Sequence, residues 1–227
     1  MKRYTDLSGL VENGLWSYQD LPGLEKIIPL ASIETIATVA KDEFFASKIT
    51  LSSITGTYLE SGAHIIEGGR TLDSYGVADF IRPAKIIRLP RQPEKALVDA
   101  PLLEAHAPRI EKGDAVIVQA GWGHRWNGPG YVLSCPNLSK KAVEWILSHG
   151  ISIFGTDVPC IESAWSDDGA SEKGGLLGMM FRKNVLLAAP LVNLEQVKAT
   201  SGVLYCLPLR VKGTSGAPAR VVFEEEA

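Results

Sequence analysis

The sequence is short of cysteine, short of histidine, and has no long apolar run. Its three cysteines, Cys135, Cys160 and Cys206, are odd in number and far apart. That excludes a disulfide framework and the close pairs of a structural zinc site, and a reducing compartment is the expectation. No stretch reaches the roughly 18 apolar residues that a membrane-crossing helix needs. The segment Met1–Leu10 lacks the apolar run of a leader peptide. A cytoplasmic location with no membrane partner follows as the expectation. Charge of one sign is also lacking. The 23 basic and 26 acidic residues are interspersed and leave a net charge of −3. Nothing forms the basic patch that nucleic acid requires. Internal repeats are absent, which excludes a solenoid.

The composition that remains is that of an ordinary folded domain, 45% hydrophobic and 22% charged. A chain of 227 residues can bury roughly 70% of its unfolded surface, so one domain over residues 1–227 is expected. Short β-rich runs dominate: Ser47–Ile54, Ala84–Leu89, Ala115–Gln119, Ile151–Phe154, Val185–Leu187 and Leu204–Val211. Pro101–Pro108 and Asn193–Ala199 read as short helices. Ser139–His149 is the clearest helix. Ser139 is placed to cap it, Ala142, Val143 and Ile146 form an apolar stripe, and Gly150 follows its end. Strand–helix–strand order implies a parallel pair with a right-handed crossover. The class is α/β with a mixed sheet, and Glu224–Glu226 reads as a solvated tail.

Landmarks recur in a fixed order: Tyr4–Ser8, Thr55–His64, Gly121-Trp122, Leu138-Ser139, Gly155–Pro159, Leu191–Leu194, Leu207–Leu209 and Gly216–Arg220. Together they resemble the cyclase / kynurenine formamidase family, which includes isatin hydrolase. That family's signature runs His-x-Gly-Thr-His-x-Asp-x-Pro, with a further His two residues on. Imidazole and carboxylate ligands suit zinc or manganese, which can acidify a bound water and polarise an amide carbonyl. Here Gly56 and Thr57 match, and His64 stands at the last His. Ile54 and Tyr58 stand at the two ligand His positions, Glu60 at the Asp and Gly62 at the Pro. The family's downstream His falls on Leu177 or Gly178 and its Glu on Ala189, and no His follows His149.

The resemblance implies a swivelling β/β/α fold, assembly as a homodimer or homotetramer, and an enzyme acting at a carbonyl of a small cyclic or aromatic compound. Zinc or manganese is not expected as a cofactor, because Ile54, Leu177 or Gly178, and Ala189 cannot ligate and a phenol such as Tyr58 titrates near 10. What survives is an acid–base set. His64 would carry the proton, Glu60 would orient it, and Tyr58 would donate to a developing oxyanion. The competing reading leaves Glu60 solvated and His64 bonded to backbone. Thr57, in the signature, is a candidate substrate contact. Trp122, His124 and Trp126 lie in a glycine-rich loop after a strand and could wall a flat substrate or plug the core. Trp16 and Tyr18 lie in an early loop that the resemblance places near the site, as substrate contacts or interface anchors. Asp157 reads as a turn residue, Cys160 as a small buried hydrophobe, and Glu162 as a further carboxylate able to face the same cleft. Three functions stay open: ring opening, ring closure or elimination without a metal; a catalytically inactive small-molecule-binding or partner paralogue; and a metal-dependent amidohydrolase of the arylformamidase type.

Overall fold

A computed structural model describes residues 1–162 and 164–226. The strands in chain order are β1 (Lys2–Asp6), β2 (Ser32–Ala37), β3 (Ala46–Thr50), β4 (Tyr58–Glu60), β5 (Ile81–Arg88), β6 (Leu97–Val98), β7 (Ala115–Gln119), β8 (Asn137–Leu138), β9 (Ile153–Thr156), β10 (Leu186–Ala189), β11 (Ser201–Pro208) and β12 (Gly216–Glu226). The α-helices are α1 (Val39–Asp42), α2 (Ala100–His106), α3 (Lys140–Ser148) and α4 (Gly175–Arg182).

Seven strands close into a ring in the order β12-β11-β5-β7-β9-β10-β4, with β4 pairing back onto β12, and β1 lies outside on β12. Strands β5, β7, β9 and β10 run parallel to one another. The helices α2, α3 and α4 supply their crossovers. A parallel strand covered on both faces must be apolar on both, and the continuous runs of β7 and β10 meet that requirement. Alternate residues then enter two cores. Ala115 and Ile117 of β7, Ile153 of β9, Ala188 of β10 and Leu59 of β4 point into the ring with Phe223 of β12. Val116, Val118, Phe154, Leu187 and Tyr58 point the other way, toward the helices. Each fully buried aliphatic side chain contributes about 1.5–3 kcal/mol.

The cap expected on α3 is present: the Ser139 hydroxyl accepts from Ala142 N at 3.1 Å, and Ala142, Val143 and Ile146 are buried. Other expectations are corrected. The strand expected over Ser47–Ile54 is shorter and belongs to a separate β2–β3 hairpin. The helix expected over Asn193–Ala199 is a single 3-10 turn, Leu194–Gln196. Its carbonyls are used elsewhere, because the Arg88 guanidinium donates to the C=O groups of Leu194, Val197 and Ala199. Glu224–Glu226 is no solvated tail but the last stretch of β12. Glu225 is 2% exposed and accepts from the backbone N–H groups of Lys198 and Ala199. Helix α4, rich in glycine, was not anticipated.

Removing the Glu225 carboxylate strands two backbone donors. Glu225→Ala is expected to lower the unfolding free energy by about 2–3 kcal/mol, as read from urea denaturation. A change below a few tenths would mean that water replaces the carboxylate freely.

Candidate active site

The site grows from β4, three residues wedged between two partners. Pairing with β10 sets Leu187 opposite Glu60 and Ala189 opposite Tyr58. Pairing with β12 sets Gly216 opposite Glu60. Because side chains alternate, Leu59 fills the ring while Tyr58 and Glu60 face the helices. The chain then turns through Gly62–His64, with His64 N donating to Ser61 C=O. That turn returns the imidazole to the strand, and His64 Nδ1 lies 3.0 Å from Glu60 Oε1.

Both side chains border a cavity of about 550 Å³, within the range of small-molecule sites. Its walls are mostly apolar. Ile54, Leu177 and Ala189 all line it. These positions, matched to ligands in the resembling family, therefore converge in space although they are distant in sequence. Leu177, not Gly178, is the residue that faces inward. A side chain on Gly178 would collide with the Lys173 carbonyl, 2.3 Å from its Cβ.

Glu60 is 1% exposed, and its Oε1 has no hydrogen-bond partner. His64 Nδ1 approaches that oxygen at 3.0 Å, and the two form an ion pair when the imidazole is protonated. Burial on its own would lower the His64 imidazole. The adjacent carboxylate outweighs that and holds it above its ordinary value of 6.5.

Tyr58 does not have a free proton. Tyr18 donates its hydroxyl hydrogen to Pro159 C=O at 2.7 Å. The Tyr18 and Tyr58 oxygens are 2.8 Å apart, so the shared hydrogen comes from Tyr58. The oxyanion role expected of Tyr58 needs that same hydrogen, and the pair already uses it. Burial, with Tyr58 beside Tyr18 and Glu60 beside Tyr58, raises both phenols well above the usual range. Neither is a phenolate that could bind a metal.

Across the cavity Glu162 accepts from Leu177 N at 2.9 Å and from Leu176 N, closing the start of α4. Burial raises its carboxyl. Gly175, at φ 63°, permits this contact, because a Cβ there would fall 2.3 Å from a Glu162 oxygen. Cys160 also lines the cavity, but a hydrogen bond with Cys135 and burial push its thiol well up, away from a nucleophile.

Of the other candidates, Tyr18 lines the cavity while Thr57, Trp16, Trp122, His124 and Trp126 do not. Thr57 is buried, donates to Pro190 C=O and accepts from Gly9 N. Trp122 is core, with its indole N–H given to Tyr131 C=O at 2.9 Å. His124 is exposed and turned back onto Gly121 C=O. Trp16 packs edge to face on Trp126 at 5.5 Å and on Tyr18 at 5.3 Å. Asp157 holds the loop of Trp122, His124 and Trp126, accepting from the N–H groups of Ala120, Gly121 and Trp122 at 2.8 Å each.

The donor set does not fit a catalytic zinc or manganese. Such a site takes about three protein ligands, and no group of three or more His, Cys, Asp or Glu among the described residues could hold an ion.

Two measurements check this geometry. Tyr18→Phe strands the Pro159 carbonyl and the Tyr58 hydroxyl, so it should cost about 1–3 kcal/mol, while Tyr58→Phe leaves Tyr18–Pro159 intact and should cost about 1 kcal/mol or less. Equal losses in thermal unfolding would refute the assigned direction. For His64, a folded-state pKa above 6.5 means stability fully present below that value and lost as pH rises through the raised pKa. The imidazole side chain is 34% exposed, so the effect should stay within about 1 kcal/mol. In urea unfolding the wild type's advantage over His64→Gln should be larger at pH 6 than at pH 8. The opposite trend would contradict the pairing.

Comparison with known proteins agrees with the fold. The chain is 25% identical over 226 residues to isatin hydrolase of Roseibium aggregatum, covering 88% of this chain and 83% of that protein. It is 23% identical over 190 residues to kynurenine formamidase of Bordetella pertussis, covering 80% and 81%. An isatin hydrolase crystallised with the product analogue thioisatinate superposes with a TM-score of 0.87 at 21% identity, over 100% of this chain and 93% of that one. Isatin hydrolase A of Ralstonia solanacearum gives the same score at 23% identity, over 99% and 92%. No helix among the described residues is long and apolar enough to cross a membrane. The family model described as Putative cyclase matches residues 5–163, more than half of the sequence, and the chain belongs to the cyclase family.

Proposed function

We propose that this chain is a metal-independent enzyme of the cyclase family that transfers a proton at a carbonyl-bearing small cyclic or aromatic compound, in a ring closure, ring opening or elimination. The observation that carries the reading is the His64–Glu60 contact on the wall of a cavity whose metal-ligand positions are Ile54, Leu177 and Ala189. A proton carrier stays where the electrophile is gone. The relatives named isatin hydrolase and kynurenine formamidase support a small aromatic substrate.

His64 borders the cavity on one side and the groove around Ala63–Gly69 on the other. Its ring can therefore exchange protons with water between turnovers. As imidazolium it protonates the substrate oxygen; as the neutral ring it takes a proton from the carbon next to the carbonyl. The Glu60 carboxylate stabilises the charged form. Positioned proton transfer of this kind supplies about 10²–10⁴ in rate. With the Tyr58 hydrogen committed, charge on the substrate oxygen is removed by protonation instead of being held in a hole. Hydrolysis to a carboxylate fits less well. Two negative charges 4 Å apart repel by about 4 kcal/mol at an effective dielectric of 20, and Glu60 already supplies one. Elimination and ring closure rank above hydrolytic opening for that reason. One observation favours a second reading, a binding protein without turnover: the Tyr58 hydroxyl hydrogen is already given to Tyr18 and is not free for an oxyanion.

Aryl carbonyl compounds incubated with the protein and followed by mass spectrometry test the proposal. His64→Ala should reduce kcat/KM at least about 100-fold, and dialysis against EDTA should leave it unchanged. Undiminished turnover in His64→Ala, or one zinc or manganese per chain in the active protein, would overturn it.

A further inference from the structure

The charged side chains lining the cavity are Glu60, Glu162 and His64, and neither lysine nor arginine is among the lining residues. Two of the three are occupied. Glu162 is held by backbone N–H groups of α4, and His64 faces Glu60. Glu60 is different. It is almost fully buried, its Oε1 has the His64 ring 3.0 Å away, and no other side chain is paired with it among the described residues. A buried carboxylate oxygen without a donor costs several kcal/mol unless something supplies one.

The neutral groups do not supply it. Tyr58 gives its hydrogen to Tyr18, and Tyr18 gives its own to Pro159 C=O. The Tyr58 oxygen therefore turns only lone pairs toward the cavity. Leu187 sits opposite Glu60 and Ala189 opposite Tyr58 across the strand pair, so the surface around these acceptors is apolar. The result is a cavity with greasy walls, hydrogen-bond acceptors at one end, and excess negative charge.

We infer that the cavity binds a flat aryl cation whose charged group carries N–H donors, of the arylamidinium or arylammonium class, with that group set against Glu60. Planar forked donors match a carboxylate in geometry as well as charge, and the ring occupies the apolar space between Ile54, Leu177 and Ala189. A carboxylate ligand meets two carboxylates against the one imidazole already set on Glu60. The inference rests on the function proposed above only in using the same cavity. It concerns binding and requires no turnover.

Benzamidine, benzamide and benzoate share a ring and a planar head group and differ in charge. Calorimetric titration of the wild-type protein with each, at pH 7.5, is the test. Benzamidine should bind at least tenfold more tightly than benzamide, and benzoate should not saturate at millimolar concentration. Glu60→Gln should bring benzamidine down to the affinity of benzamide. Should that variant fail to fold, as circular dichroism would reveal, the ranking on the wild type still decides. Equal binding of benzamidine and benzamide, benzoate binding as tightly as benzamidine, binding by none of the three, or an unchanged preference in folded Glu60→Gln would each overturn the inference. Benzamidine selectivity together with an unaffected His64→Ala enzyme would sink the proposed chemistry and leave the ligand class standing. The converse pair of results would do the reverse.

Discussion

The double pairing of β4 is the constraint from which the site follows. Hydrogen bonds to β10 on one side and β12 on the other close the ring, so the strand cannot slide by a residue without losing both ladders. A one-residue slip would also exchange its faces. Leu59 would leave the inner core, and Glu60 would enter it as a charge surrounded by Ile117, Ile153 and Phe223. That penalty far exceeds anything gained at the cavity. Glu60 and Tyr58 are thus aimed at the cavity by the packing of Leu59, not by any interaction with a ligand. The aim is set by the fold before any ligand arrives.

This separation of scaffold and chemistry explains how the cavity keeps its form with apolar walls. Ile54, Leu177 and Ala189 are apolar, and apolar residues on a cavity wall need no partners. Glu60 does, and the fold gives it only His64 at 3.0 Å. The two tyrosines settle their own hydrogens internally, ending on the Pro159 carbonyl. Acidic oxygens remain with one imidazole between them and the outside. A metal site holds a cation and attracts anionic groups. On the function and ligand class proposed above, apolar walls around a buried carboxylate favour cationic groups instead.

Much of the fold was legible in the sequence because its strands are continuous apolar runs and α3 carries its cap, stripe and terminal glycine in order. What was not legible has physical causes. Strand β4 is three residues long, too short to display a period. Helix α4 contains Gly175 and Gly178 and opens on Gly174, which disguises it as a loop. Asn193–Ala199 has helical composition, but Arg88 and Glu225, far away in sequence, take its carbonyls and amides. At the site, Tyr58, Glu60 and His64 were identifiable because they lie within one motif. Trp122, His124 and Trp126 do not line the cavity, and a glycine-rich loop after a strand looks the same in sequence whether its aromatics face a ligand or the core. Only the Asp157 carboxylate, fastening that loop inward, distinguishes the two, and its partners are backbone amides without a sequence signature.

Glu162 shows how one residue can serve fold and site together. Its carboxylate does for α4 what a side-chain cap does elsewhere, offsetting the unpaired N–H groups and positive end of the helix. Gly175, the first residue of the helix and left-handed at φ 63°, makes room for it. Fixing Leu176 N and Leu177 N fixes where α4 begins, and that in turn sets the Leu177 side chain against the cavity. A helix start moved by one residue would turn Leu177 about 100° around the axis and open the wall facing His64. The apolar surface that now stands at a ligand position is therefore held there by a carboxylate. The second acid of the cavity acts on its shape through backbone hydrogen bonds, whereas Glu60 acts on its charge.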